Sequence, residues 1–176
     1  METNDHTSKT AALFRKVLKL MGNRFELSVV ADNEIWAAEC IAAAVEEIMR
    51  IENLLTTFND ESITNKVNRN AGIAPVAVEA EFFELVKRSK RISAITQGAF
   101  DITYGSIDKK LWNFDKNMTS LPEPEIAKKM VRLINYRNVI LDEKNHTVFL
   151  KEKGMRIGFG GIGKGYAAEQ AKKVMQ

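Results

Sequence analysis

Apolar and polar residues alternate over residues 24–31 (RFELSVVA), which puts Phe25, Leu27 and Val29 on one face of a predicted strand. Over residues 34–56 the spacing lengthens to that of a helix. Ile41, Val45, Ile48 and Leu55 fall near one stripe, with Ile51 beside it. Asn59 and Asp60 break that helix, and Asp60 is placed to cap a short one carrying Ile63 and Val67. Asn70, Gly72 and Pro75 mark a turn before a short strand at 76–78. A second helix is predicted over 80–96, with Phe82, Leu85, Val86, Ser89 and Ile92 inward and Gly98 placed to end it. Residues 99–120 have little periodicity and read as a long loop. Pro122 and Pro124 open a third helix through Ile126, Met130 and Ile134. The period then returns to two. Val139 and Leu141 alternate, as do Val148 and Leu150, with a turn at 143–145 and another at Gly154 before a strand at 155–159. This is a small antiparallel meander. A glycine-rich stretch follows, and a last helix begins at Tyr166 and runs on to Gln176.

Composition narrows the class. The 176 residues, 45% hydrophobic and 28% charged, suit a soluble globular domain with a real core. A formal net charge of +3 is too mild to suggest a nucleic-acid partner. Cys40, beside Ala38, Ile41 and Ala42, reads as a small buried hydrophobe, and a single cysteine makes no internal disulfide. His6 and His146 lie far apart and away from the cysteine, so zinc has little support. Residues 1–17 are expected to form a flexible tail. Its start, METNDHTSKT, lacks the apolar stretch of a signal peptide, and no run is long enough to span a membrane. With Met1 as the natural start, the expected location is cytoplasmic.

Four places can carry chemistry. The strongest is Gly158-Phe159-Gly160-Gly161-Ile162-Gly163-Lys164-Gly165, between a strand and a helix. Glycines allow close backbone approach, and the first amides of a helix carry partial positive charge that suits phosphate. Lys164 adds a full charge. The same residues also read simply as a tight connection. They nearly match the nucleotide-binding P-loop, but Gly165 stands where that loop needs a magnesium-holding hydroxyl. The second place is Gly98-Ala99-Phe100-Asp101-Ile102-Thr103, whose carboxylate and hydroxyl suit either a ligand or local backbone capping. The third is Met21-Gly22-Asn23-Arg24 at the head of the first strand. The fourth is Thr57-Phe58-Asn59, where Phe58 can stack on a flat ring or join the core. Asn68 reads as a turn or cap residue.

The order of these pieces resembles the FAD:protein FMN transferases, the ApbE family. Met21-Gly22-x-Arg24-Phe25-Glu26 is similar to that family's opening M-G-T-x-F/R-E, and Leu55-Thr56-Thr57-Phe58 to L-S-T-Y/F. Ser62 to Asn68 resembles S-E-I-S-x-L-N. Gly98 to Thr103 matches G-A-F-D-I-T, and Leu111-Trp112-x-Phe114 matches L-W-x-F. Gly160 to Ala167 resembles G-G-I-A-K-G-Y-A. The resemblance covers about residues 18–176. It implies an α+β fold of antiparallel sheet with packed helices, of the T-fold kind. It implies a magnesium-dependent transfer in which FAD's pyrophosphate is cleaved, FMN joins a Thr or Ser of a target flavoprotein, and AMP leaves. Met21, Phe58, Ala99, Phe100 and Asp101 would then line the FAD site. Gly160 and Lys164 would lie near the pyrophosphate, and the Gly163 carbonyl would contribute to the metal.

Three departures from the family pattern stand out. Gly158 replaces a frequent Asp, Gly105-Ser106-Ile107 replaces G-P-L, and Gly163 replaces Ala. The family's D-P-x-T-G stretch and the side chains that bind magnesium and assist the acceptor hydroxyl belong to a second half that is not in this chain. The catalytic residues are expected there, and the chain alone is expected to be inactive. A non-catalytic FAD-binding module and a truncated interaction partner are the alternatives. Uncovered sheet edges would favour homo-oligomers or pairing with the missing half.

Overall fold

The computed structural model describes residues 10–107 and 122–176. The first strand has an unexpected partner. β1 (Ala12–Leu20) pairs antiparallel with β2 (Asn23–Ala31) along its whole length, from Ala12 opposite Ala31 to Leu20 opposite Asn23. The expectation of a tail over residues 1–17 is therefore corrected for residues 12–17. The register explains the strand. Phe14, Leu18 and Leu20 share the face of Val29 and Phe25, so the apolar face of β2 is continued by β1. Leu27, Val29 and Ala31 are buried, as the period-two pattern requires.

After β2, Asn33 accepts from the amides of Ile35 and Trp36 at 2.9 and 3.1 Å and so caps α1 (Glu34–Leu55). The buried stripe of α1 is Ala37, Ile41, Ala44, Ile48, Ile51 and Leu55, alternating steps of four and three. Ile51 lies at the centre of that stripe rather than beside it, and Val45 and Cys40 at its half-buried margin.

α2 (Ile63–Arg69) is capped by Ser62, whose hydroxyl accepts from the Asn65 amide at 3.1 Å. Asp60 does not cap it, lying two residues before the N-cap position that Ser62 fills. β3 (Val76–Ala77) and α3 (Ala80–Ile95) follow, with Phe82, Phe83, Leu85, Val86 and Ser89 buried. The end of α3 is a Schellman motif. Gly98 N–H reaches Ser93 O at 2.8 Å and Gln97 N–H reaches Ala94 O at 3.1 Å. The residue that turns left-handed first is Gln97, at φ 53°, followed by Gly98 at 87°.

The expected long loop contains a 3-10 turn over Ile102–Ser106. α4 (Pro124–Val131) stops short of Ile134, since Leu133 and Ile134 turn back to Met130 and Val131 with tighter bonds. After a second 3-10 turn (Tyr136–Asn138), β4 (Val139–Asp142) and β5 (Thr147–Leu150) form the expected hairpin, and β3 pairs with the other edge of β5. Asp142 holds the hairpin turn. Its carboxyl sits below the usual carboxylate range because the Asn145 side-chain amide and then the Asn145 backbone amide donate to it. The chain ends in α5 (Gly163–Val174).

Residues divide into two units, Met1–Glu52 with Lys164–Gln176, and Asn53–Gly163. The second unit is centred on Phe82, Phe83, Val139, Val148, Leu150 and Phe159, with the Phe82 and Phe159 rings edge-on at 5.3 Å. Among the described residues no helix is long and apolar enough to cross a membrane. The architecture is α+β, with two small antiparallel sheets and helices.

Candidate functional site

The glycine-rich stretch is approached by an extended segment that is not a strand. Met155, Ile157 and Phe159 are buried and Arg156 and Gly160 exposed, so the period-two pattern is real, but among the described residues no strand pairs with it. Two side chains and one backbone carbonyl take the place of the ladder. The Ile157 amide donates to Asn68 Oδ1 at 2.7 Å, and Asn68 Nδ2 donates to the Ile157 carbonyl at 3.1 Å. The Arg156 amide donates to Ser106 Oγ at 2.9 Å, and the Gly158 amide to the Ile102 carbonyl at 3.1 Å. Asn68 is thus neither turn nor cap. Its amide imitates a strand's backbone, and it is buried because both its groups are paired. Ser106, where the family pattern has proline, supplies a hydroxyl that proline cannot.

Beyond Phe159 the chain folds back on itself. The Phe159 carbonyl accepts from Ile162 and Gly163 at 3.1 and 2.6 Å, and Gly163 opens α5. A Cβ on Gly161 would stand 3.0 Å from the Phe100 ring, so the ring lies on the backbone of the turn and glycine is what lets it approach. Nothing lies within 4 Å of the corresponding point at Gly158 or Gly160.

Asp101 shows which of its two readings the fold uses. Oδ1 accepts from the Thr103 amide and hydroxyl at 2.8 and 2.6 Å, and Oδ2 accepts from the Tyr136 amide at 2.9 Å. Thr103 Oγ1 in turn accepts from the Asn135 amide at 2.8 Å. The carboxylate caps the 3-10 turn and ties it to a segment 35 residues away. It holds Ala99 and Phe100 in place rather than extending into open space. Asp101→Ala should lower stability by about 2–3 kcal/mol, through loss of a cap and of a charged acceptor for a second loop. Asp101→Asn should recover part of that loss. Urea denaturation of the two variants checks the ranking; equal stability of Asp101→Ala and wild type would overturn it.

Phe58 is 90% exposed, which removes the core reading. Its loop is fixed from below. Asn65 Nδ2 donates to the carbonyls of Thr57 and Asn59, at 2.9 and 2.8 Å, on either side of Phe58. Asn65 Oδ1 accepts from the Arg156 guanidinium at 3.3 Å. Phe58, Ala99, Phe100, Asp101, Gly160 and Gly163 therefore all belong to the second unit.

Met21 and Lys164 belong to the first unit. Met21 and Gly22 form the two-residue turn between β1 and β2, with φ of 51° and 70°. Such a turn favours Asn or Gly first, not Met. The Glu52 carboxylate holds the turn by accepting from the Met21 amide at 3.0 Å. Met21→Asn should raise stability by about 0.5–1 kcal/mol by relieving the left-handed backbone. A lower denaturation midpoint for Met21→Asn would show that the methionine side chain contributes more than its backbone costs. Leu111, Trp112 and Phe114 lie outside the described residues.

The metal expectation rests on one atom. Gly163 is buried at the start of α5, where helix geometry directs its carbonyl to the amide four residues on. Among the described residues no three His, Cys, Asp or Glu side chains stand together to hold a metal. Magnesium demands several oxygen ligands. The described residues do not make a magnesium site by themselves.

Comparison with known proteins agrees with this layout. The model of the ApbE family matches residues 21–176. A Klebsiella pneumoniae protein named FAD:protein FMN transferase is 31% identical over 157 residues, 89% of this chain and 48% of its own length. A Treponema pallidum protein of the same name is 30% identical, over 79% of this chain and 40% of its own. The crystal structure of the Thermotoga maritima ApbE protein superposes with a TM-score of 0.82 at 28% identity, covering 93% of this chain and 52% of that one. The flavin transferase ApbE of Vibrio cholerae, at 19% identity and a TM-score of 0.77, shares the fold. The chain spans about half the length of the curated relatives it matches. By the family match over nearly its whole length and by its fold, the chain belongs to the ApbE family.

Proposed function

We propose that the chain is the flavin-nucleotide-binding portion of an FAD:protein FMN transferase. The whole protein would move FMN from FAD to a Thr or Ser of a target flavoprotein and release AMP, with magnesium held largely by residues outside this chain. The supporting observation is the Gly158–Gly163 turn, folded back on the Phe159 carbonyl at the start of α5 with the Phe100 ring against Gly161. Glycine amides and a helix start suit the pyrophosphate, and Lys164 suits its charge. Phe58 and Phe100 suit the flat flavin ring. Asp101 would hold the Ala99–Phe100 backbone, and Gly163 would offer one carbonyl to the metal. A cytoplasmic location, and pairing of the exposed hairpin with further chain, accompany this reading.

Titration with FAD in magnesium should quench flavin fluorescence with a dissociation constant in the micromolar range, worth about −7 to −8 kcal/mol. Flavin emission that stays constant throughout would remove the reading.

A further inference from the structure

Two asparagines three residues apart on α2 hold different pieces of the candidate site. Asn65 donates to the carbonyls of Thr57 and Asn59, and so fixes the loop that presents Phe58. Asn68 pairs both of its amide groups with the backbone of Ile157, immediately before the glycine turn. Arg156 closes the frame by donating to Asn65 Oδ1 at 3.3 Å. Both asparagines are buried, at 4% and 6% exposure, and neither side chain extends toward open space.

We infer that Asn65 and Asn68 make α2 a spacer that sets the distance between the aromatic loop at Phe58 and the Gly158–Gly163 turn, and thereby selects a ligand carrying a flat ring and a pyrophosphate at that separation. The inference rests on the flavin-nucleotide reading above. A ligand that engages both ends gains from the second contact an effective concentration set by the spacing between them. Altering the spacing lowers that concentration while leaving each contact intact. A misplacement of about 1 Å can cost roughly 10²-fold where two groups must be met together. Both asparagines act through other groups and are positioning residues.

Three ligands separate this role from a merely structural one. FAD meets both ends, riboflavin meets the aromatic loop, and ADP meets the turn. The variants are Asn65→Asp and Asn68→Ala. Asn65→Asp keeps an acceptor for Arg156 but turns a second acceptor toward two carbonyls, releasing the Phe58 loop. Asn68→Ala frees the backbone of Ile157. Each variant is first checked for native circular dichroism, and where Asn68→Ala does not fold, Asn65→Asp decides by the same ratios. The expected result is an FAD dissociation constant raised about tenfold or more, with riboflavin and ADP within about twofold of wild type. Unchanged FAD affinity in folded variants overturns the inference, and so does parallel weakening of all three ligands. Wild-type protein that binds no FAD removes the flavin reading and the inference with it. Wild-type protein that binds FAD, with ratios unaltered in the variants, removes the inference alone.

Discussion

Asn68→Leu is expected to lower the free energy of unfolding by about 3–4 kcal/mol, the largest stability effect among the substitutions considered. Leucine has nearly the size of asparagine and suits a buried position, so little of the loss comes from a cavity. The loss comes from Ile157. Its amide and carbonyl are buried with the residue, 1% exposed, and Asn68 is the partner of both. A buried amide or carbonyl left unpaired costs about 1–3 kcal/mol, and here two are orphaned together. Water cannot repair them without opening the segment between Met155 and Phe159, both buried. The check is a urea melt of wild type, Asn68→Leu and Asn68→Gln. Glutamine retains both groups on a longer stem and should fall between. A midpoint for Asn68→Leu within error of wild type would show that the 155–159 segment is held by its apolar side chains and not by this pairing.

The same residue shows where pattern reading stops. Alternation at Met155, Ile157 and Phe159 correctly marks a face that is buried. Alternation reports a face and not a ladder, and here the backbone partners are Asn68, Ser106 and the Ile102 carbonyl, 89, 50 and 56 residues or so away in sequence. The α1 stripe and the β4–β5 hairpin were legible because their periods are long or their turn is local. β1 was not, since the polar start of the chain masks Phe14, Leu18 and Leu20, and cations at Arg15, Lys16 and Lys19 interrupt the alternation. Only pairing with β2 makes that stretch a strand.

The candidate site was legible in its residues but not in how they are used. The glycine turn and the Gly98–Thr103 element stand out from their composition, and the turn does precede a helix. Nothing local in Asp101 says that its carboxylate is taken up by Thr103 and by Tyr136, because Tyr136 arrives from another part of the chain. Asn65 and Asn68 were missed for the same reason. A usable signal was present: polar amides at a three-residue spacing in a short helix, flanked by Thr64 and Val67, both buried. Amides on the buried side of a helix must be paired, and no partner was available within the helix.

Residues 1–176 alone are expected to show no transfer of FMN, a larger effect than any single substitution here. Binding and transfer place different demands on the site. On the proposed reading the aromatic loop and the glycine turn hold the flavin nucleotide, and both lie within residues 53–163. Cleaving a pyrophosphate places new negative charge on oxygen, and stabilising that charge requires donors and a metal arranged before the reaction. The described residues offer the first amides of α5 and Lys164. They bring no group of three metal-ligating side chains together. Loss of one electrostatic element costs about 10²–10³ in rate, so loss of several together should take the rate below detection. The measurement incubates the purified chain with FAD, magnesium and a flavoprotein acceptor, beside a full-length relative such as the Klebsiella pneumoniae protein. The acceptor is then weighed by mass spectrometry. The relative should add the mass of FMN and this chain should not, although this chain still quenches FAD. Transfer by this chain at a rate near that of the relative would place the reacting groups within residues 1–176.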